Sequence, residues 1–200
     1  MMGEIADFLQ SRKKANLTIV TINIIVFLVT EIMGDTTDAS FILRCGGCYG
    51  PLVSQGEYWR LFSSMFLHFG FYHIAQNMLC LIFLGDILET IVGPWRYLFI
   101  YLLGGLFGSV FFLKLSLSEN LATVSAGASG AIFSVIGALF YITLRNRERI
   151  GKSNMKRMIL MVVLMIAQGV DNTAHLGGFI AGFLLGILVT AKGKEGLWRN

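Results

Sequence analysis

The chain has 200 residues, 55% of them hydrophobic and only 14% charged, with a mean hydropathy of +0.69. A soluble domain covers its surface with roughly a quarter of its residues charged, so a water-soluble fold is excluded. The net charge of +4 comes without a basic stripe interleaved with aromatic residues, which argues against a nucleic-acid partner.

Long apolar runs predict six membrane helices at about 17–33, 68–88, 97–117, 126–144, 157–170 and 173–191. Residues 1–16 form a leading segment with Arg12, Lys13 and Lys14. No small-residue cleavage site follows them, so the first run reads as a retained span and not as a signal peptide. That run carries Asn23 and Glu31, and the fifth is short, ending before Gln168. These two are the weakest of the six. With the N-terminus inside, 13 of the 16 Lys and Arg fall on the inner side, leaving only Arg44, Arg60 and Lys114 outside. This asymmetry predicts both termini in the cytoplasm, an outer loop at about 34–67 and a tail at 192–200. The expected architecture is an all-α polytopic bundle of six transmembrane helices, with 17–191 as one membrane domain.

The outer loop contains Cys45-Gly-Gly-Cys48, and Cys80 lies in the second span. A lone C-x-x-C is a weak zinc signal, and a disulfide or two free thiols remain equally open for it. Gly178, Gly182 and Gly186 repeat every fourth residue in the sixth span, matched by Gly127, Gly130 and Gly137 in the fourth. Such faces let helix backbones approach closely in lipid, where burial alone gives no drive to associate.

Four polar residues inside the spans need a reason, because membrane burial makes them costly: His73 and Asn77 in the second, Ser129 in the fourth and His175 in the sixth. Ser129 is 15 residues from Leu144, His175 is 16 from Ala191 and His73 is 16 from Glu89. At about 1.5 Å per residue these are depths of roughly 22 to 24 Å. In a hydrocarbon core about 30 Å thick, all three then share one layer near the outer face. Asn77 lies one turn deeper, on the face of His73. His68, five residues before His73, is expected at the membrane surface with a structural part, and Asp171 and Asn172 suit the cap of the sixth helix. Asp171, four residues before His175, is a conceivable third member of the set.

A serine alone in a membrane helix bonds back to its own carbonyls, but with a histidine in reach it becomes a nucleophile with a base. Small neighbours in Gly127-Ala128-Ser129-Gly130 leave room for a substrate backbone. His73, Asn77 and the Ser129 backbone N–H are candidate donors to an oxyanion. A metal centre on His68, His73 and His175 is the rival chemistry, but no H-E-x-x-H pair or adjacent carboxylate accompanies them. No metal, nucleotide or organic cofactor is expected.

These residues resemble the rhomboid proteases, the intramembrane serine peptidases. The resemblance rests on Trp59-Arg60 in the outer loop, His68…His73-x-x-x-Asn77, the G-x-S-G at Gly127–Gly130, and Ala174-His175-Leu176-Gly177-Gly178, in that order over roughly residues 50–190. It implies a serine endopeptidase with Ser129 as nucleophile, His175 as general base, and His73 and Asn77 as oxyanion donors. It also implies that Glu89 is a structural acid and that Phe133 stacks on His175. The implied partners are single-pass transmembrane substrates in a lipid bilayer, for a multi-pass protein of a bacterial cytoplasmic membrane. The oligomeric state stays open. A catalytically silent relative that binds membrane clients is the alternative.

Overall fold

The computed structural model describes residues 13–119, 122–145 and 172–191, with isolated helical positions at 156, 159, 160 and 163. Five of the six expected spans are found among the described residues; the stretch 157–170 lies almost wholly outside them. The five are α1 (Lys14–Met33), α5 (Gly70–Val92), α6 (Pro94–Ser118), α7 (Ser129–Arg145) and α8 (Thr173–Ala191). At about 1.5 Å per residue, the longest four reach across a hydrocarbon core. Between α1 and α5 lie three short helices, α2 (Ala39–Cys45), α3 (Gly50–Ser54) and α4 (Arg60–Ser63). The protein is thus a polytopic helical membrane bundle. Leu28, Val29, Phe107, Leu184 and Leu188 are exposed on its flanks, as side chains facing lipid would be.

Helix α7 is the centre. Nearly every residue from Ser129 to Leu139 is buried, between α6 on one side and α8 on the other. Glycine makes this approach possible. A Cβ at Gly178 would strike the carbonyl of Gly130, and one at Gly182 the carbonyl of Ser134. One at Gly186 would sit 3.1 Å from the Ala138 Cα. The four-residue glycine steps of α8 therefore mesh rung by rung with Gly130, Ser134 and Ala138 of α7; of the expected fourth-span glycines Gly130 and Gly137 face α8, whereas Gly127 faces His73. On the α6 side, Gly104 leaves space for the Ser134 side chain, whose hydroxyl donates to the Ile100 carbonyl at 2.9 Å.

The first span is firmer than its sequence suggests. Asn23 is fully buried and donates to Ile19 of its own helix at 2.8 Å. Helix α1 begins at Lys14, three residues before its expected start, so Asn16 lies within it. Helix α5 takes a π turn at Leu81–Gly85, and the Asn16 side chain enters there. Its Nδ2 donates to the Leu81 carbonyl (2.9 Å) and to Asp86 Oδ1 (2.7 Å), while its Oδ1 accepts from Tyr97 (2.6 Å). Gly85 has no room for a Cβ because Asn16 occupies that space. Glu89 is buried and accepts from the Asn16 and Ala15 backbone N–H groups at 2.7 and 3.3 Å. It thereby satisfies donors that a helix start leaves without intrahelical partners. Glu89→Ala should cost about 2 kcal/mol, the usual penalty for stranding buried donors, read as a lower SDS-titration midpoint. An unchanged midpoint would remove Glu89 from this role.

The connection from α1 to α5 folds onto the end of the bundle that carries Ser129. Asp38 caps α2 by accepting from Ser40 and Phe41 N–H, and Gly46 ends it in the left-handed region. The Arg60 guanidinium is buried there. It donates to the Leu43 (2.6 Å) and Gly47 (3.2 Å) carbonyls and pairs with Glu57 at 2.6 Å. The segment it holds runs into β1 (Cys48–Tyr49), which pairs antiparallel with β2 (Val124–Ser125) just ahead of Ser129. Cys45 and Cys48 are free and pack into separate apolar clusters, Cys45 beside Phe41 and Ile42, Cys48 with Val53 and Phe112. Burial pushes the Cys48 thiol up to about 11, which makes it a poor nucleophile.

Candidate active site

Ser129 is the first residue of α7. The fourth span therefore starts later than 126, because residues 126–128 approach it as non-helical chain. Gly127 has φ 136, a conformation that disfavours any side chain, and its N–H donates to the Ser64 carbonyl at 2.9 Å. The first helical bond runs from Ile132 N–H to the Ala128 carbonyl (2.9 Å). The N–H of Ser129 thus lies above the helical ladder, as expected for a helix start.

The Ser129 Oγ lies 2.8 Å from His175 Nε2. Both residues are buried, and the Phe133 ring stacks on the imidazole at 4.3 Å and 13°. The other ring nitrogen, Nδ1, is 3.3 Å from Asn172 Oδ1. A cavity of about 270 Å³ opens beside the histidine, lined by Phe133, Asn172, His175, Leu176 and Phe179. The meshed glycines set this geometry, since Gly130–Gly178 is the first rung below the pair.

His73 faces the same point from α5. Its Nδ1 accepts from the Phe69 N–H at 3.2 Å, which leaves the proton on Nε2. That Nε2 is buried and has no partner among the described residues. A Cβ built on Gly127 would lie 3.0 Å from His73 Nε2 and 3.6 Å from Ser129 Oγ. Glycine therefore keeps open a small space bounded by a free donor and the serine hydroxyl. Asn77 is fully buried and donates one Nδ2 hydrogen back to the His73 carbonyl at 2.8 Å. Its amide is thus tied to its own helix, one turn below His73.

His68 is fully buried within the protein and meets the His73 ring edge-on at 5.3 Å. Its Nε2 accepts from the Ala128 N–H at 3.4 Å. Ser64–Phe66 form a 3-10 turn and residues 67–69 are non-helical before α5 begins at Gly70, so His68 is not on that helix, which starts later than the expected 68. The five-residue spacing to His73, off the helical three or four, was the available signal. Asp171 lies outside the described residues.

A buried serine hydrogen-bonded to a buried histidine thus lies at one end of an apolar helical bundle, the frame of a polytopic membrane protein. The rhomboid-domain family model matches residues 55–192. The chain is 34% identical over 185 residues to rhomboid protease GluP of Bacillus subtilis (strain 168), which covers 90% of this chain and 36% of that protein. It is 35% identical over 149 residues to the putative rhomboid protease YdcA of the same organism, covering 72% of this chain and 73% of YdcA. It is also 40% identical over 160 residues to RHOMBOID-like protein 5 of Arabidopsis thaliana, covering 76% and 51%. The chain belongs to the rhomboid family. It spans between about a third and a half of the length of GluP and of RHOMBOID-like protein 5.

Proposed function

We propose that the chain is an intramembrane serine endopeptidase that uses Ser129 as nucleophile and His175 as general base. The observation that carries this reading is the 2.8 Å contact between Ser129 Oγ and His175 Nε2, beside the open space that Gly127 leaves under His73 Nε2.

The steps follow from that geometry. His175 Nε2 takes the hydroxyl proton as Ser129 Oγ attacks a substrate carbonyl carbon. The carbonyl oxygen gains negative charge in the space beside Gly127, where His73 Nε2–H donates to it, with the Ser129 N–H and the second Asn77 amide hydrogen as further donors. The imidazolium then protonates the leaving amine, and the C–N bond breaks to give an acyl-serine. Water, activated by the same histidine, hydrolyses that ester and restores the hydroxyl. The substrate helix must unwind locally, because its carbonyls are otherwise held in hydrogen bonds. Charge asymmetry supports cleavage near the outer end of a single-pass substrate's membrane helix. On the same basis both termini lie in the cytoplasm, and the similarity to two Bacillus subtilis proteins supports a bacterial membrane.

Labelling with a fluorophosphonate probe tests the pair directly. Wild type should gain one phosphonyl mass and Ser129→Ala none, with His175→Ala labelled at least a hundredfold more slowly. A wild type that binds membrane clients yet takes no label would instead be a silent relative.

A further inference from the structure

We propose that Asn172 is a positioning residue for the Ser129–His175 pair, holding the imidazole in the tautomer whose Nε2 faces the serine. This rests on the reading of that pair as base and nucleophile.

A neutral imidazole carries one proton, and only its bare nitrogen can accept another. For Nε2 to take the Ser129 proton, Nδ1 must be the protonated atom. Whatever faces Nδ1 therefore selects between a working and an idle histidine. Among the described residues the Asn172 side-chain oxygen lies 3.3 Å from Nδ1. A carbonyl oxygen accepts and cannot donate, so it favours Nδ1–H. The reversed amide would donate to Nδ1, move the proton to Nε2 and turn it against the serine.

The placement of Asn172 follows from helix geometry. It immediately precedes α8, and its carbonyl accepts the first helical bond from Leu176 N–H at 3.0 Å. Three residues separate it from His175, which puts both on one face of the opening turn. The start of α8 is itself fixed, because Ala174 and Gly178 pack backbone to backbone against Gly108 and Gly130. The imidazole is thus held at three points: Nε2 by Ser129, its face by Phe133 and Nδ1 by Asn172.

The contact also strengthens as the reaction proceeds. Once His175 has taken the serine proton, Nδ1–H belongs to a cation and its hydrogen bond becomes charge-assisted. An interaction stronger in the transition state than in the ground state acts on kcat and leaves KM alone.

The test uses the full chain in proteoliposomes with a single-span reporter. Asn172→Ala should lower kcat about tenfold with KM within twofold of wild type. Asn172→Asp, which keeps an acceptor oxygen, should recover kcat to within threefold. A second readout does not need turnover. The chain has three histidines, so ¹⁵N-histidine NMR in micelles resolves them, with His175 assigned by its loss in His175→Gln. Wild type should show His175 as the Nδ1–H tautomer, with a hydrogen-bonded shift that Asn172→Ala removes. The proposal is overturned by an Nε2–H tautomer in wild type, by a kcat for Asn172→Ala within twofold of wild type, or by a loss confined to KM. A wild type without Ser129-dependent cleavage would sink the protease reading instead, and the tautomer would still decide Asn172.

Discussion

Gly182→Leu is expected to yield no folded protein: no cooperative transition on SDS titration and no fluorophosphonate labelling. The reason is steric and local. A Cβ at position 182 would overlap the Ser134 carbonyl, and neither backbone can yield without parting α7 from α8. Those two helices carry Ser129 and His175, so separating them removes the 2.8 Å contact as well as the packing. Water-exposed helices could re-pack through side chains, but in lipid the close backbone approach is itself the attraction. Gly186→Ala supplies the graded control. Its Cβ would lie 3.1 Å from the Ala138 Cα, a contact that a shift of a few tenths of an ångström relieves. It should fold and label with only a lowered midpoint. Equal behaviour of the two variants would contradict the rung-by-rung account.

His73→Ala has the second largest expected effect, this time on chemistry. Losing one preorganised oxyanion donor lowers kcat by about 10²–10³ in other acyl-transfer sites. The same is expected here, with KM little changed and the SDS midpoint within reach of wild type. The tautomer decides this role: Phe69 N–H occupies Nδ1, so the proton sits on Nε2, which has no partner among the described residues. Stranding Phe69 N–H in the variant costs some stability, so kcat must be compared at full folding. A kcat within threefold of wild type would place the oxyanion elsewhere.

What could be read in advance divides along physical lines. Membrane spans announce themselves by composition, and the shared depth of His73, Ser129 and His175 follows from counting a constant helical rise. The glycine repeat likewise needs only a period of four. The segment from 34 to 69 was opaque because backbone groups hold it. Arg60 bonds to the carbonyls of residues 43 and 47, and β1 pairs with β2 across two residues only. Carbonyls have no sequence signature, and two residues show no alternation. The partner of His68, expected to be structural, was hidden for the same reason, since it is the N–H of Ala128. Asn16 was hidden by a boundary: taken as part of the leading segment, it proved to be the side chain that fills the π turn of α5. Asn172 was read as a helix cap, a role its position suits, and its reach to His175 became visible only with the ring in place.

Ser129 is the nucleophile on which peptide-bond cleavage depends in this mechanism. The measurement is cleavage of single-span reporters by purified wild type and Ser129→Ala in proteoliposomes, with products mapped by mass spectrometry. Wild type should cut at a defined bond near the outer end of the reporter's membrane helix. Ser129→Ala, folded to the same SDS midpoint, should cut none of it. Undiminished cleavage by the variant would contradict the account.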